Sequence, residues 1–504
     1  MKAINLRVLP ALALCATALL FAACGKQDGP ATETQSDDAA MAAAKVPVTT
    51  SSETARDLYM QGRSLADDLH FVDANIAFAQ AVKEDPAFAM GYAMLAQTSQ
   101  TTAEFFAAVG NAHEHAAGAS EGEQLIIRAV VAGSENNQAA QQDALTKLVA
   151  MYPKDERTHM RLATFLYGQQ DFTGTIEHLK HANAINPNFA GAYNMLGYSN
   201  RSLENFDDAK VAFAKYVELL PDEANPYDSY AELLMEMGDY EESIVNYRKA
   251  LDINQNFASA YIGIATNESL KGEADLAQEA AERGLAAARN FAERQGAMYS
   301  SVIAHLFAGN TGAAMAMCET ILAEAEVKGN RAAMGGALEY MGDIMLAAGE
   351  PAKAEGYYDS ALDNRLQAGF NEANLAQAER THMFKTALVA MNAGDAEAAA
   401  TRTAEYNAAA EMNGTAFEKR RVHELSAFLA QFNEELEAAA KHFDQASQLN
   451  PVVLYWSART QAALGNTDRA IDLATRAANR NTLNPNLPFF RDDALALLAE
   501  LNAE

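Results

Sequence analysis

AGAYNMLGYSNRSLENFDDAKVAFAKYVELLPDE, residues Ala190 to Glu223, is the stretch whose reading decides the fold. Two amphipathic helices read from it. The first carries Tyr193, Leu196 and Gly197 on one face, and the second carries Ala209, Phe213 and Tyr216. Asn205 sits in the turn, and Pro221 closes the second helix because proline lacks the amide hydrogen and clashes with the preceding turn. A helical hairpin this short cannot bury its apolar face alone and needs copies of itself on either side.

The copies are present. Pro153, Pro187 and Pro221 fall 34 residues apart, and Tyr193, Tyr227 and Tyr261 keep the same interval. Gly238-Asp239 and Gly272-Glu273 mark turns. Ala209, Ser243 and Ala277 place a small residue where two helices cross closely. Hairpins also read at Leu58 to Pro86 and Glu156 to Phe189, then at Ala224 to Phe257 and Ala258 to Phe291. Thr101 to Met151 is faint. Beyond Phe291 the turn glycines Gly309, Gly349 and Gly394 are spaced by 40 and 45, so the hairpins lengthen, and Gly465 marks a later turn.

These residues resemble the tetratricopeptide repeat, a 34-residue helix–turn–helix. Tyr193, Leu196, Gly197, Ala209, Phe213 and Pro221 fill six of its consensus places. The resemblance spans roughly residues 55 to 480 and implies an all-α, right-handed superhelical solenoid of about ten to twelve repeats. It also implies that first helices line a concave groove for a protein or peptide partner. The matching positions here include Arg157, Asn194, Tyr198, Arg201, Asp228 and Glu232. The sub-pattern that clamps a peptide carboxylate is missing, because its places hold Met160, Thr164, Met195, Asn225 and Ser229.

Composition narrows the function classes. The 504 residues carry a net charge of −29, without a basic patch to neutralise phosphates, so nucleic acid is not the expected partner. Cys318 stands alone on an apolar helix face and reads as a small buried hydrophobe. His113-Glu114-His115 is the only tight histidine pair, and residues two apart on a helix face different ways, which is poor spacing for a shared metal. No phosphate loop or nucleophile elbow occurs. The expectation is therefore no catalytic residues, no metal and no cofactor.

The N-terminus adds an address. Lys2 and Arg7 precede an apolar run, Val8 to Phe21, too short to span a membrane and fitting the core of a signal peptide over residues 1–23. The sequence Leu20-Phe21-Ala22-Ala23-Cys24-Gly25 resembles a bacterial lipoprotein signal, with Phe21 where that family has Leu, Val or Ile. Ordinary secretory cleavage is the other reading. The resemblance implies acylation (palmitate) at Cys24, which holds a folded domain on a membrane without a spanning helix. Gly25, in place of the Asp that favours inner-membrane retention, implies the outer membrane. Residues 24–54 hold little that can be buried and read as a disordered tether. A regular array over 55–291, an irregular one over 292–480 and a capping helix within 481–504 complete the expected organisation.

The function this supports is a non-enzymatic, lipid-anchored scaffold that binds a protein or peptide in the cell envelope. A glycan- or nutrient-binding surface lipoprotein is the alternative, and it would stack sugars on residues such as Trp456. An enzyme reading would need a pocket with converging His and carboxylates in Thr101–Met151 or Leu366–Lys419. Replacing Cys24 with Ser is expected to move the protein from the membrane to the soluble fraction with its helical circular dichroism unchanged. Retention in the membrane pellet at high salt would refute the anchor.

Overall fold

The computed structural model describes residues 45–99 and 101–503. The expected signal peptide, Cys24 and most of the expected tether lie outside the described residues. Those described form 25 α-helices and one short 3-10 turn, without a strand, and the fold is an all-α helical repeat solenoid. None of the described helices is long and apolar enough to cross a membrane.

The chain divides into two compact units at Tyr230 and Ala231. The N-terminal unit holds α1 (Glu53–Asp67), α2 (Phe71–Glu84), α3 (Ala89–Gln97), α4 (Thr102–His115), α5 (Glu121–Ser134), α6 (Gln138–Met151), α7 (Glu156–Gly168), α8 (Phe172–Ile185), α9 (Ala190–Ser202) and α10 (Phe206–Leu219). The division falls inside α11 (Ala224–Glu236). The C-terminal unit continues with α12 (Tyr240–Ile253), α13 (Ala258–Lys271), α14 (Ala274–Ala287), α15 (Phe291–Phe307), α16 (Thr311–Val327), α17 (Arg331–Ala347) and α18 (Pro351–Leu366). It ends with α19 (Glu372–Ala393), α20 (Ala396–Asn413), α21 (Ala416–Phe432), α22 (Leu436–Phe443), α23 (Pro451–Ala463), α24 (Thr467–Ala478) and α25 (Leu487–Leu501). In chain order α1 to α24 make twelve hairpins, and α25 stands alone. The faint stretch before Met151 folds as three helices of 14 residues each, α4 to α6, with Ser120 and Glu123 capping α5 reciprocally.

Local chemistry explains the hairpins. Each second helix that precedes Pro153, Pro187 or Pro221 ends two residues before the proline, at Met151, Ile185 and Leu219. The turn between paired helices needs one left-handed residue. Gly272 supplies it with φ 83°, and Gly309, Gly349, Gly394 and Gly465 do the same further on. Gln170 and Glu204 take that conformation without glycine's freedom, at φ 62° and 61°. At the crossings, Ala209, Ser243 and Ala277 are fully buried, and the Ser243 hydroxyl donates to the Ala231 carbonyl at 2.7 Å. Phe213 packs so closely on α9 that a Cβ at Gly197 would lie 2.6 Å from its ring. The lengthening expected after Phe291 appears as helices of 16 to 22 residues from α15 to α21, against 13 or 14 in α6 to α10. Cys318 is fully buried, and burial pushes its thiol up to about 12.

One expectation needs correction. The tether does not run to residue 54: Lys45 to Ser52 form an ordered extended strap that leads into α1, because carboxylates of the array hold its amides. The last helix, Leu487–Leu501, lies within the 481–504 expected for a cap and takes Pro488 into its first turn. It does more than cover an open end. The Tyr340 hydroxyl donates to the Pro485 carbonyl at 2.6 Å, Asn481 donates to the Glu236 carbonyl at 3.4 Å, and Arg491 donates to the Tyr240 hydroxyl at 3.3 Å. The C-terminal unit thus folds its end back onto α11, α12 and α17.

Gly197→Ala is expected to cost about 1–3 kcal/mol through the forced shift of Phe213. Gln170→Gly is expected to gain on the order of 1 kcal/mol by relieving the left-handed turn. Urea denaturation of the two variants measures both signs.

Candidate functional site

The strap crosses the beginnings of successive first helices in the N-terminal unit. Asp155 caps α7 with one oxygen, which accepts from the Arg157 amide at 3.0 Å. Its other oxygen accepts from the Val46 amide at 2.9 Å. Glu123 closes the α5 capping box with one oxygen and accepts from the Thr49 amide at 2.8 Å with the other. Asp85 accepts from the Ala87 amide at 3.1 Å and, on its second oxygen, from the Ser51 amide at 3.0 Å and the Thr50 hydroxyl at 2.5 Å. Three carboxylates therefore each serve a turn or helix of the array and the backbone of an extended segment at once.

These carboxylates are well shielded: Glu123 is 0%, Asp155 4% and Asp85 7% exposed. Glu156, 1% exposed, takes the Lys45 ammonium at 2.7 Å. Val46 and Val48 are half-buried against the core that includes Tyr59 and Phe88. The Thr50 hydroxyl is the largest influence on Asp85 and holds it below the usual carboxylate range. Burial pushes Glu156 upward, yet the bond from Lys45 and the charge of Arg157 outweigh it and leave it lowered.

The residues expected to line the groove have different surroundings. Arg157 clamps the turn after α1: its Nε donates to Asp67 at 3.1 Å and its Nη1 to Glu156 at 2.6 Å. The same turn sits against Gly191, where a Cβ would lie 3.1 Å from the Asp67 carbonyl oxygen, and His70 faces Glu223 at 3.1 Å. Tyr198 donates to Ser229 at 3.2 Å and meets Phe213 edge-on, with the Arg201 guanidinium 4.6 Å from its ring centre. Asn194 is half-buried, and its side-chain carbonyl is buried without a hydrogen-bond partner. Asp228 is only 6% exposed. Glu232 is half-buried and belongs to the C-terminal unit. Sequence reasoning missed Asp85, Glu123 and Asp155; the signal was an acidic residue at the entry of successive first helices.

The pocket that an enzyme reading required has a counterpart in the C-terminal unit. Glu339, Tyr358, Arg365, His382 and Lys385 line a cavity of about 10 Å³, room for about one water. Its charges are spent on one another. Lys385 holds Asp343 at 2.7 Å and Glu339 at 3.6 Å, Arg365 holds Glu339, and His382 meets Asp359 at 2.7 Å. Burial raises Asp343 to about 6. His113 is exposed, whereas His115 stacks on Tyr92, and no group of three or more metal-ligating residues comes together among the described residues.

Residues 190–223 match the family described as tetratricopeptide repeat, and residues 231–265 match a TPR repeat family, so the chain carries tetratricopeptide repeats. A UDP-N-acetylglucosamine–peptide N-acetylglucosaminyltransferase of Giardia intestinalis is 22% identical over 130 residues, which cover 26% of this chain and 9% of that protein. A tetratricopeptide repeat protein from Parabacteroides merdae resembles it at a TM-score of 0.38 and 15% identity, covering 52% of this chain and 98% of the other. MamA gives 0.29 at 21% identity over 33% and 94%. The Cut9–Hcn1 hetero-tetramer of APC/C gives 0.41 at 15% identity over 86% and 78%.

A carboxamide has one acceptor oxygen, so it can serve the array or the strap but not both. The triple variant Asp85→Asn, Glu123→Gln, Asp155→Asn is expected to lose about 1 kcal/mol per site and hydrogen-exchange protection at Val46, Thr49 and Ser51. Asp85 and Glu156 are lowered on folding. Their contribution is complete above the unfolded values near pH 4 and is lost as pH falls through the lower folded values, so strap protection in the wild type is expected to be full at neutral pH and to be lost only below about pH 4.

Proposed function

We propose that the chain is a non-enzymatic scaffold of the bacterial cell envelope, anchored through acylated Cys24, that holds an extended segment of a partner protein on the first helices of its N-terminal array. The observation that carries this reading is the strap. Val46, Thr49 and Ser51 are gripped through main-chain amides, which any extended peptide offers, while Lys45 on Glu156 adds a preference for a basic residue at one end. A partner segment with a lysine followed by small polar residues competes with the strap for the same four carboxylates. Tetratricopeptide repeats commonly serve protein or peptide binding, which supports the same class of partner.

The cavity beside Lys385 has room for about one water only. A sugar-stacking site is less well supported, because the single Trp, Trp456, is 1% exposed and Arg459 covers its ring at 4.6 Å.

In-cell crosslinking of tagged protein followed by mass spectrometry tests the reading. One dominant envelope protein is expected in the wild type, and its yield is expected to fall several-fold in the triple carboxylate variant. No protein partner in the wild type, or an unchanged yield in a folded variant, would overturn it.

A further inference from the structure

Four of the ten histidines form two pairs that repeat each other. His159 on α7 faces His178 on α8, with Nδ1 atoms 3.1 Å apart. His423 on α21 faces His442 on α22, with Nδ1 atoms 3.0 Å apart. Both pairs are separated by 19 residues. Both stand at the same register in their hairpins: the first histidine lies 28 residues, and the second nine, before Pro187 or Pro451. The ring centroids are 5.4 and 5.3 Å apart, and the interplanar angles are 40° and 38°. Two hairpins in different units have thus arrived at one arrangement.

A direct imidazole hydrogen bond accounts for the separation, and so does a shared cation. A late first-row metal binds imidazole nitrogen at about 2.0–2.1 Å, which places two adjacent ligand atoms roughly 2.9–3.4 Å apart for square or tetrahedral geometry. Both pairs fall in that interval. The first pair also carries the outer partner that ligating histidines use: His159 Nε2 lies 3.1 Å from the Pro153 carbonyl, which accepts its proton and leaves the Nδ1 lone pair facing His178. His178 and His442 are half-buried, so an ion reaches each pair from solvent, and the net charge of −29 enriches cations near the surface. His181 lies beside the first pair, its ring 5.3 Å from that of His159, but the three do not converge as a set.

The geometry points to two sites for a divalent ion that prefers imidazole, of the Cu²⁺, Ni²⁺ and Zn²⁺ class, one in the fourth hairpin and one in the eleventh. Each site has two protein ligands, and water fills the remaining positions. The bound ion clips the first helix of its hairpin to the second, so it stabilises the hairpin without touching the strap or its carboxylates.

Equilibrium dialysis of the full-length protein against Ni²⁺, with metal analysis, tests this. Two ions per chain are expected, with a rise in melting temperature that Mg²⁺ does not reproduce. His178→Gln and His442→Gln, made at the half-buried partner to spare the core, should each weaken one site by at least about tenfold, and the double variant should lose both. Circular dichroism verifies that the variants fold. Unchanged stoichiometry in the folded double variant, or no saturable binding by the wild type, would reduce the pairs to hydrogen bonds and overturn the proposal.

Discussion

The Tyr247 side chain holds one hairpin to the next. Its ring is fully buried, and a Cβ at Gly263 would lie 2.0 Å from it, so α12 and α13 approach as closely as a bare backbone allows. Contacts of this kind turn a row of unstable hairpins into a solenoid, because each apolar face is completed only by its neighbour. Phe78 over Gly62, Phe213 over Gly197 and Tyr358 over Gly342 apply the same rule inside hairpins. Since every unit is satisfied locally, the chain can change its hairpin length after Phe291 without changing its architecture.

That locality also explains what the sequence made legible. The aromatic at Phe213, the small residue at Ala209 and the turn glycine at Gly272 each have partners within one hairpin, so their spacing is the fold. The strap was not legible, because no apolar periodicity marks it. Its partners lie 34 to 111 residues away, and the amides that bind them belong to every residue type. The return of the C-terminal end to Glu236, Tyr240 and Tyr340 spans 145 to 251 residues and depends on the accumulated turn of many hairpins. The histidine pairs fall between these cases. A separation of 19 residues is visible in the sequence, but only the crossing of two helices turns it into contact.

The groove residues show the same limit. Consensus position marks the inner side of a first helix, but it does not record what else the chain has placed there. Arg157 has the register of a partner-binding residue and holds the turn after α1 instead, through Asp67. Asp228 has the register and is buried. Asn194, with its carbonyl unmatched, keeps the capacity for a new hydrogen bond. In the C-terminal unit the charges around Lys385 bind α17, α18 and α19 together, and replacing Lys385 would strand Asp343 and Glu339 in a region water hardly reaches.

The direction of the strap has a mechanical consequence. Its order, Lys45 over the fourth hairpin, Thr49 over the third and Ser51 over the second, runs against the order of the array. A load that lifts the chain off the array from ahead of Lys45 meets the bonds one at a time, ending at Asp85. Such an attachment peels at low force, where a strap loaded in shear would resist until every bond broke together. Eight residues released in this way yield roughly 28 Å of slack at about 3.5 Å each, while the helices behind them stay folded.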